Sequence, residues 1–293
     1  MSDNRFETLI LDWLRPIVIR CRQIVLRTAT PCSPSVSMIR GVWGRALHHL
    51  DNNAYQTVFQ GTGPGHLRQP SYMIRSSENG FSENGTVFHL DWVTWGNAVI
   101  HDRTLVRAWD VAAGMGLDRQ RIPFVVDMSH PAEDLSMADV AWPIPGSPAI
   151  TPCRVQFQVP LRIVRDKHTI TTPSLADLTE AAISRLALVR SLICDDIPMI
   201  HVPQSIWPDF AEAAIALATT VSTTRWHGRG QTLVRYSAKQ QAEVTMNGVT
   251  GFINCLDGTG PLWPILAAAT WLHLGKGTVI GLGRPEIIPL KTI

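Results

Sequence analysis

Gly275-Lys276-Gly277-Thr278-Val279-Ile280-Gly281-Leu282-Gly283 follows the apolar, helix-patterned run 261–274 and opens a strand-patterned run, 278–289, that closes the chain. Glycine has no Cβ, so such a backbone can take left-handed conformations and approach a ligand closely. A lysine among the glycines adds a mobile cation, and the ligand this predicts is a phosphate chain. The spacing excludes the familiar nucleotide loops. A triphosphate loop needs glycine where Thr270 stands and serine or threonine where Gly277 stands. A dinucleotide fingerprint needs glycine in place of Ile280. Both of those motifs run strand–loop–helix, whereas this one runs helix–loop–strand. A tight Gly-rich turn without a ligand stays open.

The rest of the chain is read outward from that loop. Residues 153–165 pattern as a strand, and 174–194 as a helix with Leu175, Leu178, Ile183, Leu186, Val189 and Ile193 on one face. Residues 208–220 form a second, alanine-rich helix, and 231–236 and 242–255 two more strands. Upstream, 17–29 alternates apolar and basic residues as a strand should. Ser37 is placed to cap a helix from Met38 to about Leu50. Residues 86–95 and 121–128 are strands around a helix from about Arg103 to Ala113, and the Gly/Pro/Asn-rich 60–85 is a loop with room for one further strand. The Pro143–Pro148 run is the best linker. The order is βαββαβ twice, an α+β fold of two tandem ferredoxin-like (RRM-like) domains, 1–145 and 146–293. A helical insertion at about 174–222 exceeds what the second unit needs.

Composition narrows the partners. Charged residues are 17% of 293, net charge is only +2, and apolar content is 45%, so bulk charge decides nothing, while low surface charge suggests a covered face. Lysine occurs only at 167, 239, 276 and 291; arginine, whose planar fork grips phosphate bidentately, supplies the rest. No acid lies between Asp12 and Asp51, between Glu212 and Glu243, or between Asp257 and Glu286. Three basic windows able to converge fit an RNA or DNA footprint; a codon bias toward arginine would give the same counts. The 5 cysteines lack any C-x-x-C spacing, which argues against zinc and for reduced thiols in a cytoplasmic protein. No apolar run is long enough to span a membrane, and no cofactor or metal is expected. Of the 10 tryptophans, Trp92, Trp95 and Trp109 read as core. Trp226, within the basic segment Arg225-Trp226-His227-Gly228-Arg229, is the better base-stacking candidate.

Specific residues now carry a resemblance. Arg235-Tyr236-Ser237 with Gln240, Gly248, Gly251-Phe252-Ile253 and the 274–283 loop resemble the CRISPR repeat-processing endoribonuclease family. Met38–Leu47 resembles its first helix, and Leu117-Asp118-Arg119 leading into Ile122–Val126 fits as well. The likeness is strong over 235–284 and weak over 50–100 and 195–225. It implies tandem ferredoxin-like folds with the Gly-rich loop at the RNA, and metal-independent cutting by attack of the RNA's own 2′-hydroxyl to leave a 2′,3′-cyclic phosphate. It implies that Gly275, Lys276, Gly277, Gly281 and Gly283 meet the RNA backbone, with Arg235 and Lys239 beside them. Arg20, Arg45, Arg225, Trp226 and Arg229 are further RNA-binding candidates. In such enzymes a histidine near the first helix often acts as the acid or base, worth about 10²–10⁴-fold, and His48 and His49 stand there. Both could equally be solvated helix-end residues favoured by the dipole. Arg22 and Arg40 are candidates for a cation-only mechanism; Arg20 and Arg22, two apart on one strand face, could form a phosphate clamp. Tyr55 is a possible acid or a packed ring, and His273 could touch RNA. The implied partners are CRISPR repeat or guide RNA and other effector subunits. The alternative is a non-catalytic guide-RNA-binding subunit on the same fold.

Overall fold

A computed structural model describes residues 3–61, 69–82, 85–117, 120–128, 130–140, 148–194, 207–237 and 242–290. The first half runs α1 (Asp3–Leu14), β1 (Val18–Thr28), α2 (Val36–Leu50), the single turn α3 (Asn52–Ala54) continued by a π-helical turn Tyr55–Gln60, β2 (Tyr72–Ser82), β3 (Gly85–Trp95), a 3₁₀ turn, α4 (Asp102–Met115), β4 (Phe124–Asp127), β5 (Glu133–Ser136) and α5 (Met137–Val140). The second runs β6 (Cys153–Leu161), a small hairpin β7 (Val164–Arg165) and β8 (His168–Thr169), α6 (Leu175–Ile193), α7 (Ala211–Ala218), β9 (His227–Ser237), β10 (Ala242–Cys255), α8 (Trp263–Leu272) and β11 (Glu286–Pro289). Sheet order is β2-β3-β1-β4 in the first half and β11-β6-β10-β9 in the second, with β5 pairing on the start of β1. All pairs are antiparallel. Both sheets thus have the ferredoxin-like order, with a helix after the first and third strand of each.

Alternation decides where each sheet packs. Ile24 and Leu26 of β1 and Phe88, Leu90 and Trp92 of β3 face α2 and α4. Trp43 of α2 is fully buried there, its ring 4.7 Å from Tyr72, 5.5 Å from Trp92 and 5.8 Å from Trp109, and its Nε1–H donates to the Leu105 carbonyl at 3.2 Å. Such pairs add roughly 0.5–1.5 kcal/mol each beyond area burial. Ile19, Cys21, Val93 and Trp95 point the opposite way, into a second core shared with α1, α6, α8 and the inner face of β6 and β10. The halves are thus stacked in layers: α2/α4, first sheet, the helices of the second half, second sheet.

Several boundaries move for local reasons. Ser35, not Ser37, caps α2, its Oγ accepting from Met38 N at 3.2 Å, so the helix starts at Val36. Ser174 and Asp177 form a capping box on α6. The strand expected over 278–289 is confined to Glu286–Pro289, because left-handed glycines at 277 and 281 enclose a 3₁₀ turn, Thr278–Ile280. The strand expected over 153–165 ends at Leu161. α1 was not expected; Phe6, Ile10 and Leu14 seat it in the second core. The boundary at 145/146, most of the Pro143–Pro148 linker, Asp118 and Arg119, and residues 195–206 of the insertion lie outside the described residues.

Candidate nucleic-acid interface

The Gly-rich loop is held to the end of β6. Lys276 N donates to Arg162 O at 2.8 Å, Gly283 N to Pro160 O at 2.9 Å, and Leu274 N to Gly283 O at 2.8 Å. Gly275 and Gly283 take φ of 73° and 70°; a Cβ would meet Arg162 O at 2.4 Å in the first case and Leu274 O at 1.9 Å in the second. Gly281, at φ 87°, would push its Cβ to 3.1 Å from Val36, the first residue of α2. The 3₁₀ turn also packs on β2. The loop therefore bridges the second sheet to the first half. Gly281 N donates to Thr278 O and Gly283 N to Pro160 O, both at 2.9 Å. These two glycines shape the loop, and their N–H groups donate within the protein. The Lys276 side chain is exposed.

The root of the loop is a buried, cation-rich knot. His273 is 1% exposed at φ 58°, and its Nδ1 lies 3.1 Å from Leu282 O. A carbonyl only accepts, so Nδ1 carries the proton. Burial, then the guanidiniums of Arg75 and Arg284, hold this imidazole well below its usual range. His273 thus braces the loop from beneath and is not placed to touch RNA. Arg185 is buried, with its Nε–H donating to Leu272 O at 3.1 Å and its guanidinium 5.4 Å from the Trp95 ring; burial pulls it down to about 10. Arg75 lies 4.4 Å over Trp271 and 3.8 Å from Asp91. Each arginine ties one half of the chain to the other.

The remaining expected residues fall into three groups. The first is the β9–β10 hairpin. β6 pairs with β10 only from Val249 onward, so 231–237 and 242–248 extend past β6 as a two-stranded ribbon, with Arg235 opposite Val244. A Cβ on Gly248 would meet Leu161 O at 2.9 Å, so the ribbon leaves from the same end of the sheet as the loop. Lys239 lies outside the described residues. Arg225 and Arg229 are exposed. Trp226 turns inward, 6.2 Å from Phe157 and packed on the second core; β-strand alternation from His227 aims it away from solvent, which corrects the stacking role expected of it.

The second group is α2. Arg45, His48 and His49 are exposed, and their i, i+3, i+4 spacing puts them on one helix face. His48 meets Tyr55 edge-on at 4.8 Å, and Tyr55 stacks on Phe59 at 4.9 Å. Arg40 is drawn under the helix, 4.1 Å over Phe59 and 5.8 Å from Tyr72. At about 1.5 Å per residue, His48 stands roughly 18 Å along the helix from Val36, where the loop touches.

The third group is β1, where Arg20 and Arg22 do share a face but are already matched. Arg20 makes a bidentate pair with Asp134 at 2.8 and 2.9 Å, and this hydrogen bonding holds the Asp134 carboxyl below its usual range. Arg22 pairs with Asp102 at 2.6 Å. In register, Arg22 lies opposite Trp92 and then Ile74, two strand spacings, about 10 Å, from the edge strand that the loop contacts. Both cations are neutralised by acids from β5 and α4, so the phosphate clamp is not free as expected.

These features define a class: tandem ferredoxin-like proteins with a glycine-rich loop between the last helix and last strand, fixed at the junction of the two halves. Residues 155–285 match the family described as CRISPR-associated endoribonuclease Cas6. The match is confined to this segment of the chain. No curated protein matches the chain by sequence. Among solved structures, a Thermus thermophilus Cas6 in its product complex aligns at TM-score 0.58 and 15% identity, covering 92% of this chain and 99% of that one. A second Cas6 product complex aligns at TM-score 0.50 and 17% identity, with 92% and 99% covered. A partial Cas6-RT-Cas1–Cas2 complex aligns at 0.58 and 11%, covering 96% of this chain and 48% of that one. At these identities the likeness is one of fold.

Proposed function

We propose that this chain binds the repeat of a CRISPR precursor transcript and cuts it to give guide RNA. The observation that carries this reading is the Cas6 match over 155–285 on a segment whose Gly-rich loop, with exposed Lys276, sits beside a protruding β-hairpin. The Lys276 cation, the hairpin with Arg229 and Arg235, and Arg225 just ahead of it hold the RNA backbone. Arg45, His48 and His49, exposed on one face of α2, supply a cation and two imidazoles. One imidazole takes the proton from the 2′-hydroxyl beside the scissile phosphate; the other gives one to the leaving 5′-oxygen. The bond formed is 2′-O–P and the bond broken is P–5′-O, so the products are a 2′,3′-cyclic phosphate and a 5′-hydroxyl. No metal enters the scheme. We take 1–145 and 146–293 as the two units and the cytoplasm as the compartment, since the cysteines are free. Other CRISPR proteins are further partners, by analogy with the solved Cas6-RT-Cas1–Cas2 assembly.

Incubation of the purified chain with repeat RNA tests the reading. Cutting at one position supports it. Tight binding with the RNA left intact would instead support a guide-RNA-binding subunit that does not cut.

A further inference from the structure

The second sheet has two faces, and among the described residues helices cover only one. Cys153, Val155 and Phe157 of β6 and Ile253 and Cys255 of β10 point into the second core. The alternate residues point outward. One register row crosses all four strands of that outer face: Glu286, Gln156, Phe252 and His227.

Phe252 occupies a central strand of this face, and among the described residues neither apolar core includes it. It is held by π contacts instead. The Arg154 guanidinium lies 3.8 Å from its ring centroid. The His227 imidazole stacks on it at 5.3 Å and 21°. Because β10 lies between β6 and β9, the two partners flank Phe252 from opposite sides. The result is a three-member ladder, cation–ring–ring, laid across the sheet. Arg154 is fixed in turn by its Nε–H donating to Asn254 Oδ1 at 3.0 Å. The ladder ends at His227, which is exposed on the edge strand, with exposed Arg229 two residues along the same face. Glu286, the acid in the row, already accepts from Gln158 Nε2 at 2.9 Å. The face therefore offers stacking planes and cations with its acid engaged.

Unpaired RNA has the matching chemistry. Every base has a π face that can extend a stack, and every phosphate can meet a guanidinium. Four-stranded sheets of this order bind single-stranded RNA by stacking bases on exposed aromatic residues of their strands. We infer that the outer face of the second sheet is a binding platform for an unpaired stretch of the RNA, with a base stacked on the Arg154–Phe252–His227 ladder and its phosphate on Arg229. The platform lies four residues along β10 from Gly248, about 13 Å from the loop end of the sheet, so one RNA chain held at the loop can run onto it. This inference rests on the proposed reading of the chain as a repeat-RNA endonuclease.

The test measures affinity, by fluorescence anisotropy at one salt concentration, for two RNAs: the bare repeat hairpin, and the same hairpin with about ten unpaired nucleotides on each side. The wild type is expected to bind the flanked RNA about tenfold more tightly, within the range one stacked base supplies. Phe252→Leu combined with His227→Ala removes both rings and is expected to abolish that gain while binding and cutting the bare hairpin as the wild type does, which also reports that it folds. Phe252→Tyr keeps a ring and is expected to keep the gain. The platform is overturned if flanks add nothing in the wild type, or if the double variant binds the flanked RNA as well as the wild type does. It is overturned equally if both RNAs lose the same affinity in the double variant. A wild type that neither binds nor cuts either RNA would overturn the endonuclease reading itself, whereas normal cutting of the bare hairpin with indifference to flanks would leave that reading standing and assign the outer face to a protein partner.

Discussion

At the scale of single residues, the loop depends on backbone positions that only glycine fills. Gly283 combines φ 70° with a Cβ that would stand 1.9 Å from Leu274 O, the residue its own carbonyl accepts from. Gly283→Ala is expected to cost about 1–3 kcal/mol and to weaken RNA binding; urea unfolding and anisotropy would measure both. Gly41 is the contrast: it is helical with nothing within 4 Å of its absent Cβ, so Gly41→Ala should stabilise by about 0.5–1 kcal/mol. His273 gives the fold a pH dependence. Its native imidazole, held below the ordinary 6.5 chiefly by burial, binds fewer protons than the unfolded chain does at acid pH. Stability contributed this way is intact above 6.5 and is lost as pH falls below it, at up to about 1.4 kcal/mol per pH unit. The urea midpoint of His273→Gln should fall less between pH 7.5 and 5.5 than that of the wild type. An equal fall would show that His273 is not the group responsible.

At the scale of elements, most of the fold was legible because periodicity and packing agree. β1 alternates because each of its faces enters a different core, and α6 displays its apolar stripe behind a capping box. The failures have local causes. Thr278-Val279-Ile280 is β-branched and reads as strand, but the glycines on either side take left-handed φ and close it into a turn. Trp226 looked like a base-stacking residue because its neighbours are basic; strand parity sends it inward and leaves His227 and Phe252 outward, a signal that the 2-residue period of β9 and β10 did contain. The acids that engage Arg20 and Arg22 lie 114 and 80 residues away in sequence, so no local pattern could reveal them. On the proposed reading, binding and cutting divide between the loop and α2. His48→Ala with His49→Ala should slow cutting by about 10²-fold or more while leaving affinity unchanged. Lys276→Ala should weaken binding and lower its salt slope by about one while leaving the rate on saturating RNA nearly intact. Single-turnover rates and salt titrations separate the two. Normal cutting by the histidine double variant would shift catalysis to the arginines.

At the scale of the whole molecule, the two halves do not fold as beads on a string. The first sheet gives one face to α2 and α4 and the other to the helices of the second half, and Arg75 and Arg185 lie over tryptophans 271 and 95 across that junction. The Gly-rich loop is rooted in the same junction and touches the start of α2. The element carrying the imidazoles and the loop carrying Lys276 are therefore held in fixed relation by buried contacts, about 18 Å apart along the helix. The chemistry proposed for this arrangement uses a nucleophile that the RNA brings with it. Repeat RNA synthesised with a single 2′-deoxy nucleotide at the cut position, incubated with the chain in the presence of a chelator beside the all-ribose RNA, tests that most directly. The ribose RNA should be cut at one site to a cyclic phosphate and the deoxy RNA should be bound with equal affinity and left whole; cutting of the deoxy RNA, or loss of cutting of the ribose RNA on chelation, would contradict it.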